Sequence, residues 1–506
     1  MVLCAVMSLT FLDTTIVAVA LASVQTSLHA GVAQLQWVIG GYALAFGALM
    51  LPFGALGDRF GRRRAMLVGL ALFAVGSATA ALAHSPAQLI AARVVMGVGA
   101  AASEPGTLSI IRQLYTEPGS RARALGVWSA VAALALAVGP VIGGVLVGIG
   151  GWPAIFWFNV AASVVVIVVT AIVIPESTDP GVGRIDWGGA ALGLIAIGGA
   201  LFGVIQGEAR GYGNPLIVAV FVVAAVGLAV FSVLEAHVPN PMLDLHYLRR
   251  PGFSGSLVLA FSVYFSIFAI FFFTALYLQI VEGYSGYRIA SVFLPMALAM
   301  ILTSLATGRW VARIGVGMPI ALGSLLAGLG VLGADVGLSG STHPLVLALS
   351  LTVAGLGFGT TVVPVTSIAL AVVPQQHSGM AAASTNTARA LGVIASVSVL
   401  GSYLNAQLTS GLGTKLARLG VPPVFRHVVI SAVETGGVPG GSSIAADTKT
   451  FGPLVAKVVT AAYGAFHRGL TISLIIAGAL IIVSGVLSAV AVRGARTRPD
   501  GETSQA

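Results

Sequence analysis

Apolar residues run along this chain in long blocks, and polar residues collect in the gaps between them. A block of about 18 or more apolar residues can cross the hydrocarbon core of a bilayer as a helix. By that measure the sequence predicts about fourteen membrane helices, centred near residues 12, 47, 74, 98, 136, 164, 197, 226, 265, 299, 327, 357, 391 and 480. Most gaps are short, which predicts helical hairpins. One is not: residues 404–467 are expected as a long loop between the last two spans, with Lys415, Arg418, Arg426, Lys449 and Lys457 in it. Within that loop, Pro453 to Phe466 reads either as a short amphipathic surface helix or as a passive linker.

Arginine placement orients these spans. Arg59, Arg62, Arg63 and Arg64 fall between spans two and three, and Arg112, Arg121 and Arg123 between four and five. Arg184, Arg249, Arg250, Arg309 and Arg313 occupy later even-to-odd gaps, and Arg493, Arg496 and Arg498 follow the last span. The short gaps of the other set hold Arg210 and Arg288. Cytoplasmic loops carry the excess of arginine and lysine, so both termini are expected in the cytoplasm. Long loops cross largely regardless of charge, so the basic residues of 404–467 leave this topology standing.

Composition narrows the class. Hydrophobic residues make up 57% of the 506, charged residues 8%, and the mean hydropathy is +1.00. A soluble domain carries about a quarter charged residues. The chain therefore reads as an all-α integral membrane protein. Its net charge of +9 orients helices and gives no ground for a nucleic-acid partner. Arginine dominates over the three lysines, which points to a GC-rich bacterial genome and hence a bacterial cell membrane. Cys4 is the single cysteine, which excludes an intramolecular disulfide and a cysteine-based metal site. The first 24 residues lack a basic leader and a clear cleavage site, so they read as the first span, with a translation start expected a few residues upstream.

Catalytic motifs are missing. No lysine follows a glycine, so no phosphate-binding Gly-Lys loop exists. Gly97-Val98-Gly99-Ala100 superficially resembles a dinucleotide fingerprint but lies inside a span, without a strand before it. No HExxH or GxSxG pattern occurs. No enzyme activity and no cofactor are expected.

What remains is charge at membrane depth. An acidic or basic side chain at the middle of a spanning helix costs about 2.5–3.5 kcal/mol on insertion scales, so each invites a functional reading. Asp13 sits midway along span one. Arg93 and Glu104 share span four, eleven residues apart, which places them on one face about 16 Å apart along the axis. Arg389 lies in span thirteen. The competing reading for each is a structural ion pair or a snorkelling side chain. Phe261, Tyr264, Phe268 and Phe272 in span nine either line an apolar cavity or face lipid and core. Ala135, Gly139 and Gly143 form a small-residue stripe on span five, suited to close helix packing.

Several segments resemble one family. Gly54-Ala55-Leu56-Gly57-Asp58-Arg59-Phe60-Gly61-Arg62-Arg63-Arg64, an acid and four arginines in a very short turn, is similar to the loop motif of the major facilitator superfamily. Leu89, Arg93, Gly97 and Gly99 to Ala101 resemble its fourth-helix motif, with Met96 where glutamine is common. Gly139-Pro140-Val141-Ile142-Gly143-Gly144 resembles its fifth-helix antiporter motif, with Ala135 in place of the leading glycine. Leu12 to Leu21 resembles the first helix of the fourteen-span drug:proton antiporters, with Ala18 and Ala22 where asparagine and proline are usual. Asn386, Thr387, Arg389 and Gly392 match their thirteenth helix.

The resemblance implies two six-helix bundles that rock about a central cavity, with spans seven and eight as an inserted pair. The bundles would be 1–175 and 251–492, the inserted pair with its flanks 176–250, and the cytoplasmic tail 493–506. Asp58 would pair with nearby arginines and with the N-terminal end of span thirteen near Gly379, latching the cytoplasmic side. Asp13, then Glu104, would be the proton or cation site, and Arg93 would bias it. The function implied is proton-coupled export of hydrophobic or cationic small molecules by a monomer, with protons as coupling ion. An exporter dedicated to one endogenous metabolite is the alternative within transporters. A multi-span membrane enzyme or sensor is the alternative outside them.

Overall fold

The computed structural model describes residues 1–115, 117–178, 187–237, 245–338, 343–373, 378–418 and 453–496. Among the described residues, fourteen helices are long and apolar enough to span a membrane, as the hydropathy pattern predicts. The first six are α1 (Val2–Leu28), α2 (Val32–Phe60), α3 (Arg62–Ala81), α4 (Pro86–Ile111), α5 (Pro118–Gly150) and α6 (Pro153–Val173). Next come α7 (Trp187–Arg210) and α8 (Pro215–His237). The last six are α9 (Pro251–Ile280), α10 (Gly286–Ile314), α11 (Gly317–Leu338), α12 (Pro344–Val372), α13 (residues 378–418) and α14 (Pro453–Arg496).

Prolines mark many of the starts. Pro86, Pro118, Pro153, Pro251 and Pro344 stand in the first turn of their helices, where a missing N–H costs nothing. Pro105 inside span four has the opposite effect. It interrupts the helix at Glu104, between Pro86–Ser103 and Pro105–Leu114.

Helices α1–α6 form one bundle and α9–α14 the other, and each bundle packs mainly within itself. The bundles meet chiefly along α5 against α10 and α2 against α13. With an even number of spans, Val2 and Arg496 lie at one face, here termed the terminal face. Small residues set the helix separations. A Cβ on Gly97 of α4 would stand 2.5 Å from the Tyr42 carbonyl of α2, so only glycine permits that approach. The central α9 is 83% buried over its most apolar window, whereas α8 is 17% buried. The pair α7–α8 is therefore peripheral. It rests on α2 through Leu201 against Gly40, and on α13 through the Ser402 hydroxyl, which donates to the Val204 carbonyl at 3.1 Å.

The aromatic run of α9 resolves into core packing for Phe268 and Phe272, both fully buried, while Tyr264 borders the central cavity. The loop expected at 404–467 is wrong at both ends. Helix α13 continues to Arg418 through wide π turns at Ser396–Leu400 and Gln407–Gly411, and α14 begins at Pro453. Pro453 to Phe466 is thus the first part of a 44-residue helix, not a separate surface helix. Leu404, Leu408, Leu412 and Leu416 keep a buried stripe at i, i+4 spacing, which extends α13 beyond the apolar block. Residues 419–452 lie outside the described residues. So do residues 497–506 of the tail, while 493–496 continue α14.

Candidate functional site

Two buried carboxylates organise the molecule, and they play different parts. Asp13 lies in α1 with no exposure, and its Oδ2 accepts from Arg93 Nη1 of α4 at 2.5 Å. Its Oδ1 accepts from Asn159 Nδ2 of α6 at 2.7 Å. Arg93 also donates from Nε to the Val38 carbonyl of α2 at 3.0 Å and lies 4.3 Å over the Tyr42 ring. This cluster therefore ties α1, α2, α4 and α6 together inside the first bundle. In sequence Asp13 has no basic neighbour; in the fold it has one, eighty residues away. Removing one partner of a buried pair costs about 3–5 kcal/mol, because the other charge is left uncompensated.

Glu104 does not pair with Arg93. At the proline break it points to the second bundle: Oε1 accepts from Asn386 Nδ2 of α13 at 3.2 Å. Its Oε2 stands 3.3 Å from the Thr10 hydroxyl of α1. That hydroxyl also lies 2.9 Å from the Met7 carbonyl, and its one proton serves one of the two acceptors at a time. Arg389 Nη1 in turn donates to Asn386 Oδ1 at 2.8 Å, and its guanidinium lies 5.8 Å from the Phe11 ring and 5.4 Å from the Tyr264 ring. The chain Thr10–Glu104–Asn386–Arg389 thus crosses from one bundle to the other. Beside it lies a cavity of about 30 Å³, bordered by Thr10, Phe11, Phe46, Tyr264, Asn386 and Arg389. Asp13 does not line it.

The charged turn is built around one glycine. Gly61 joins α2 to α3 at φ 119°, a left-handed value that disfavours a side chain. Asp58 Oδ1 accepts from Arg62 Nε at 2.6 Å, one helical turn on, and Arg62 Nη1 donates to Gln113 Oε1, in the Pro105–Leu114 segment, at 3.3 Å. Gly54 and Gly57 admit Pro105 and Ala65 to 3.3 Å from where a Cβ would stand, and Arg59 lies over Phe60. The expected contact of Asp58 with the start of α13 falls beside residues 374–377, outside the described residues.

A residue not foreseen completes this turn. Glu176, just past α6, accepts from the backbone N–H of Arg63 at 3.0 Å and of Arg64 at 3.2 Å, and the Arg62 N–H donates to the Ser177 carbonyl. A carboxylate here satisfies orphan N–H groups of α3 and meets the positive end of its dipole. Glu176→Ala is expected to lower stability by about 1 kcal/mol. A thermal melt in detergent checks this; an unchanged midpoint would show that water replaces the cap at no cost.

The Gly-Pro segment of α5 faces two partners. Pro140 cannot donate to the Leu136 carbonyl, and the Thr15 hydroxyl of α1 donates to it instead at 3.1 Å. Gly139 packs on Thr15, and a Cβ on Gly143 would stand 2.7 Å from the Ile16 carbonyl. Gly144 looks outward across the bundle boundary: a Cβ there would lie 2.5 Å from the Gly286 carbonyl and 2.8 Å from Ala290 of α10. Gly392 similarly lets α13 approach Phe261 and Phe265 of α9. Gln36 of α2 binds the opposite bundle by donating to the Val397 and Ser398 carbonyls at 3.2 and 3.3 Å, in a π turn that leaves carbonyls open. Asn159, Thr10, Gln36 and Tyr42 escaped notice in the sequence. Their signal was available, since each is a polar group within a spanning block.

Comparison with known proteins agrees with this architecture. The Major Facilitator Superfamily profile matches residues 3–397. The Multidrug resistance protein Stp of Mycobacterium tuberculosis is 34% identical over 84% of this chain and 78% of its own length. The Tetracenomycin C resistance and export protein of Streptomyces glaucescens is 30% identical over 97% of this chain and 90% of its own. Among solved structures, an inward-facing bacterial homolog of the human lysosomal transporter Spinster superposes with a TM-score of 0.58 at 18% identity, covering 97% of this chain and 96% of that one. Fourteen spanning helices in two bundles, the glycine-built charged turn and the family match over residues 3–397 make this chain a membrane transporter of the Major Facilitator Superfamily.

Proposed function

We propose that this protein is a proton-coupled antiporter that exports hydrophobic or cationic small molecules from a bacterial cell by alternating access. Both termini and the α2–α3 turn face the cytoplasm in this reading. The observation that carries it is the Glu104 bridge: a buried carboxylate of one bundle holds a hydrogen bond to Asn386 of the other. Protonation changes what that carboxyl can accept and donate, so the proton and the inter-bundle contact are linked. Asp13 and Arg93 supply a second exchangeable charge pair on α1 and α4. Asp58 with Arg62 stiffens the turn that opens and closes the cytoplasmic side.

The names of the relatives support export of drugs or antibiotics. An exporter dedicated to one endogenous compound is favoured by one observation, the near full-length similarity to a protein named for tetracenomycin C export. A susceptibility panel of unrelated antibiotics and dyes, in a host without its own pumps, separates broad from dedicated export.

Glu104→Gln keeps the shape and the bond to Asn386 but cannot exchange a proton. It is expected to cut proton-driven efflux from everted vesicles at least tenfold while gradient-independent exchange of cargo persists. Wild-type proton-driven efflux from this variant would remove Glu104 from the coupling step.

A further inference from the structure

The inserted pair is not confined to one bundle. Helix α7 packs on α2 of the first bundle and on residues 396–406 of α13 in the second. Its contact with α2 is apolar. Leu201 lies against Gly40, Leu44 lies against Gly198, and the Trp37 and Phe202 rings meet at 6.4 Å. Leu201 is buried, in a pair that is otherwise largely turned outward. The contact with α13 is polar, from the Ser402 hydroxyl to the Val204 carbonyl. On α7 these groups span residues 198–204, about two helical turns.

The same two turns cover the seam between the bundles. Gln36, next to Trp37, donates to the Val397 and Ser398 carbonyls, and Ser402 lies one turn further along α13. Gln36 stands near the start of α2 and Ser402 in the second half of α13, so both lie away from the terminal face. Helix α7 therefore straddles the α2–α13 seam on the side opposite the termini.

When that side opens, α2 and α13 separate, and α7 can follow only one of them. The two contacts differ in what their loss leaves behind. The Val204 carbonyl keeps a bond from the Tyr212 hydroxyl at 3.3 Å. The Ser402 hydroxyl can turn to the Ser398 carbonyl of its own helix, four residues back. Neither group is stranded. The α2 contact has no such substitute, since close packing is what holds helices together in lipid. The Ser402 bond is the part that releases, and α7 stays with α2.

Resting on the alternating access of the reading above, we propose that α7–α8 is a clasp. Anchored on α2, it holds α13 through Ser402 and biases the protein towards closure of the face opposite the termini.

The test reads the bundles at their other seam. Ala290→Cys stands where α10 meets Gly144 of α5, so its labelling reports parting of the bundles rather than a local change at α7. Labelling by a membrane-impermeant maleimide is followed on the full chain in lipid nanodiscs, without cargo or a proton gradient. Ser402→Ala in this background is expected to raise the labelling rate about two- to tenfold, the value of one hydrogen bond. Leu201→Ala/Phe202→Ala loosens the anchor instead, and should raise the rate by a similar factor. A cooperative melt establishes that each variant folds, and the anchor variant decides should Ser402→Ala fail to fold. An unchanged rate in either folded variant overturns the proposal and makes α7–α8 a passive flank. Raised rates in the variants, with no proton-driven export by the wild-type protein, count against the antiport reading and leave the clasp standing.

Discussion

Asp13→Asn is expected to reduce proton-driven efflux to background. The substitution keeps the size of the side chain and the possibility of a bond to Asn159. It removes the negative charge that Arg93 faces at 2.5 Å in a site where both groups are almost wholly buried. The stranded guanidinium costs about 3–5 kcal/mol, a large part of the stability of a membrane bundle, so a lower protein yield is also expected. Yield alone would not separate a coupling charge from a structural one. The double variant Asp13→Asn/Arg93→Gln does. It removes both buried charges and the desolvation cost with them, so it should fold better than the single variant. If the pair takes part in coupling, the double variant stays inactive in everted vesicles although it inserts and melts cooperatively. Restored efflux in the double variant would make Asp13 and Arg93 a structural pair and leave Glu104 as the acid of interest.

Gly144→Val is expected to be nearly as severe by a mechanical route. The Cβ alone would stand 2.5 Å from the Gly286 carbonyl, with Ala290 at 2.8 Å, and valine adds two further methyl groups. Overpacking of this kind costs about 1–3 kcal/mol, and here the strain exists only while α5 and α10 are in contact. The equilibrium should therefore shift away from closure of the face opposite the termini by about 10- to 100-fold. Export should fall by a similar factor while the protein still folds, because the parted state is relieved of the clash. A cysteine at Ala290→Cys reports the change: a membrane-impermeant maleimide added from that face should label it faster in the Gly144→Val background. Cys4, the single native cysteine, is buried in α1. Unchanged labelling together with normal export would show that the α5–α10 contact has slack to absorb the side chain.

The sequence carried the spans because membrane length is a one-dimensional property, read from consecutive residues. It carried the charged turn and the Gly-Pro segment for a related reason, since each works within a few residues of itself. Asp58 and Arg62 are one helical turn apart, and Gly61 needs only its own φ. The partners of Asp13 and Glu104 were hidden because they arise from packing. Arg93 and Glu104 do share a face towards α1, as their spacing implies, yet Pro105 diverts Glu104 to Asn386, 282 residues away. The end of α13 was misjudged for a different reason. Its last turns are amphipathic, with Gln407, Thr409 and Lys415 interrupting the apolar block, so an average over the window dips while the buried leucine stripe continues.

Three of the contacts above share one short piece of chain. Thr10 meets the carboxyl of Glu104, Asp13 meets Arg93 and Asn159, and Thr15 stands in for the hydrogen bond that Pro140 cannot make. They lie within six residues, less than two turns of α1, yet at successive angles around its axis. That stretch is a shaft with three teeth, the first two engaged with α4 at Glu104 and Arg93 and the third with α5. A twist of α1 by a fraction of a turn cannot loosen one tooth without loading another. The bend of α5, the ion pair of the first bundle and the bridge to the second bundle are then geared together, and timing between them needs no signal longer than a single helical repeat.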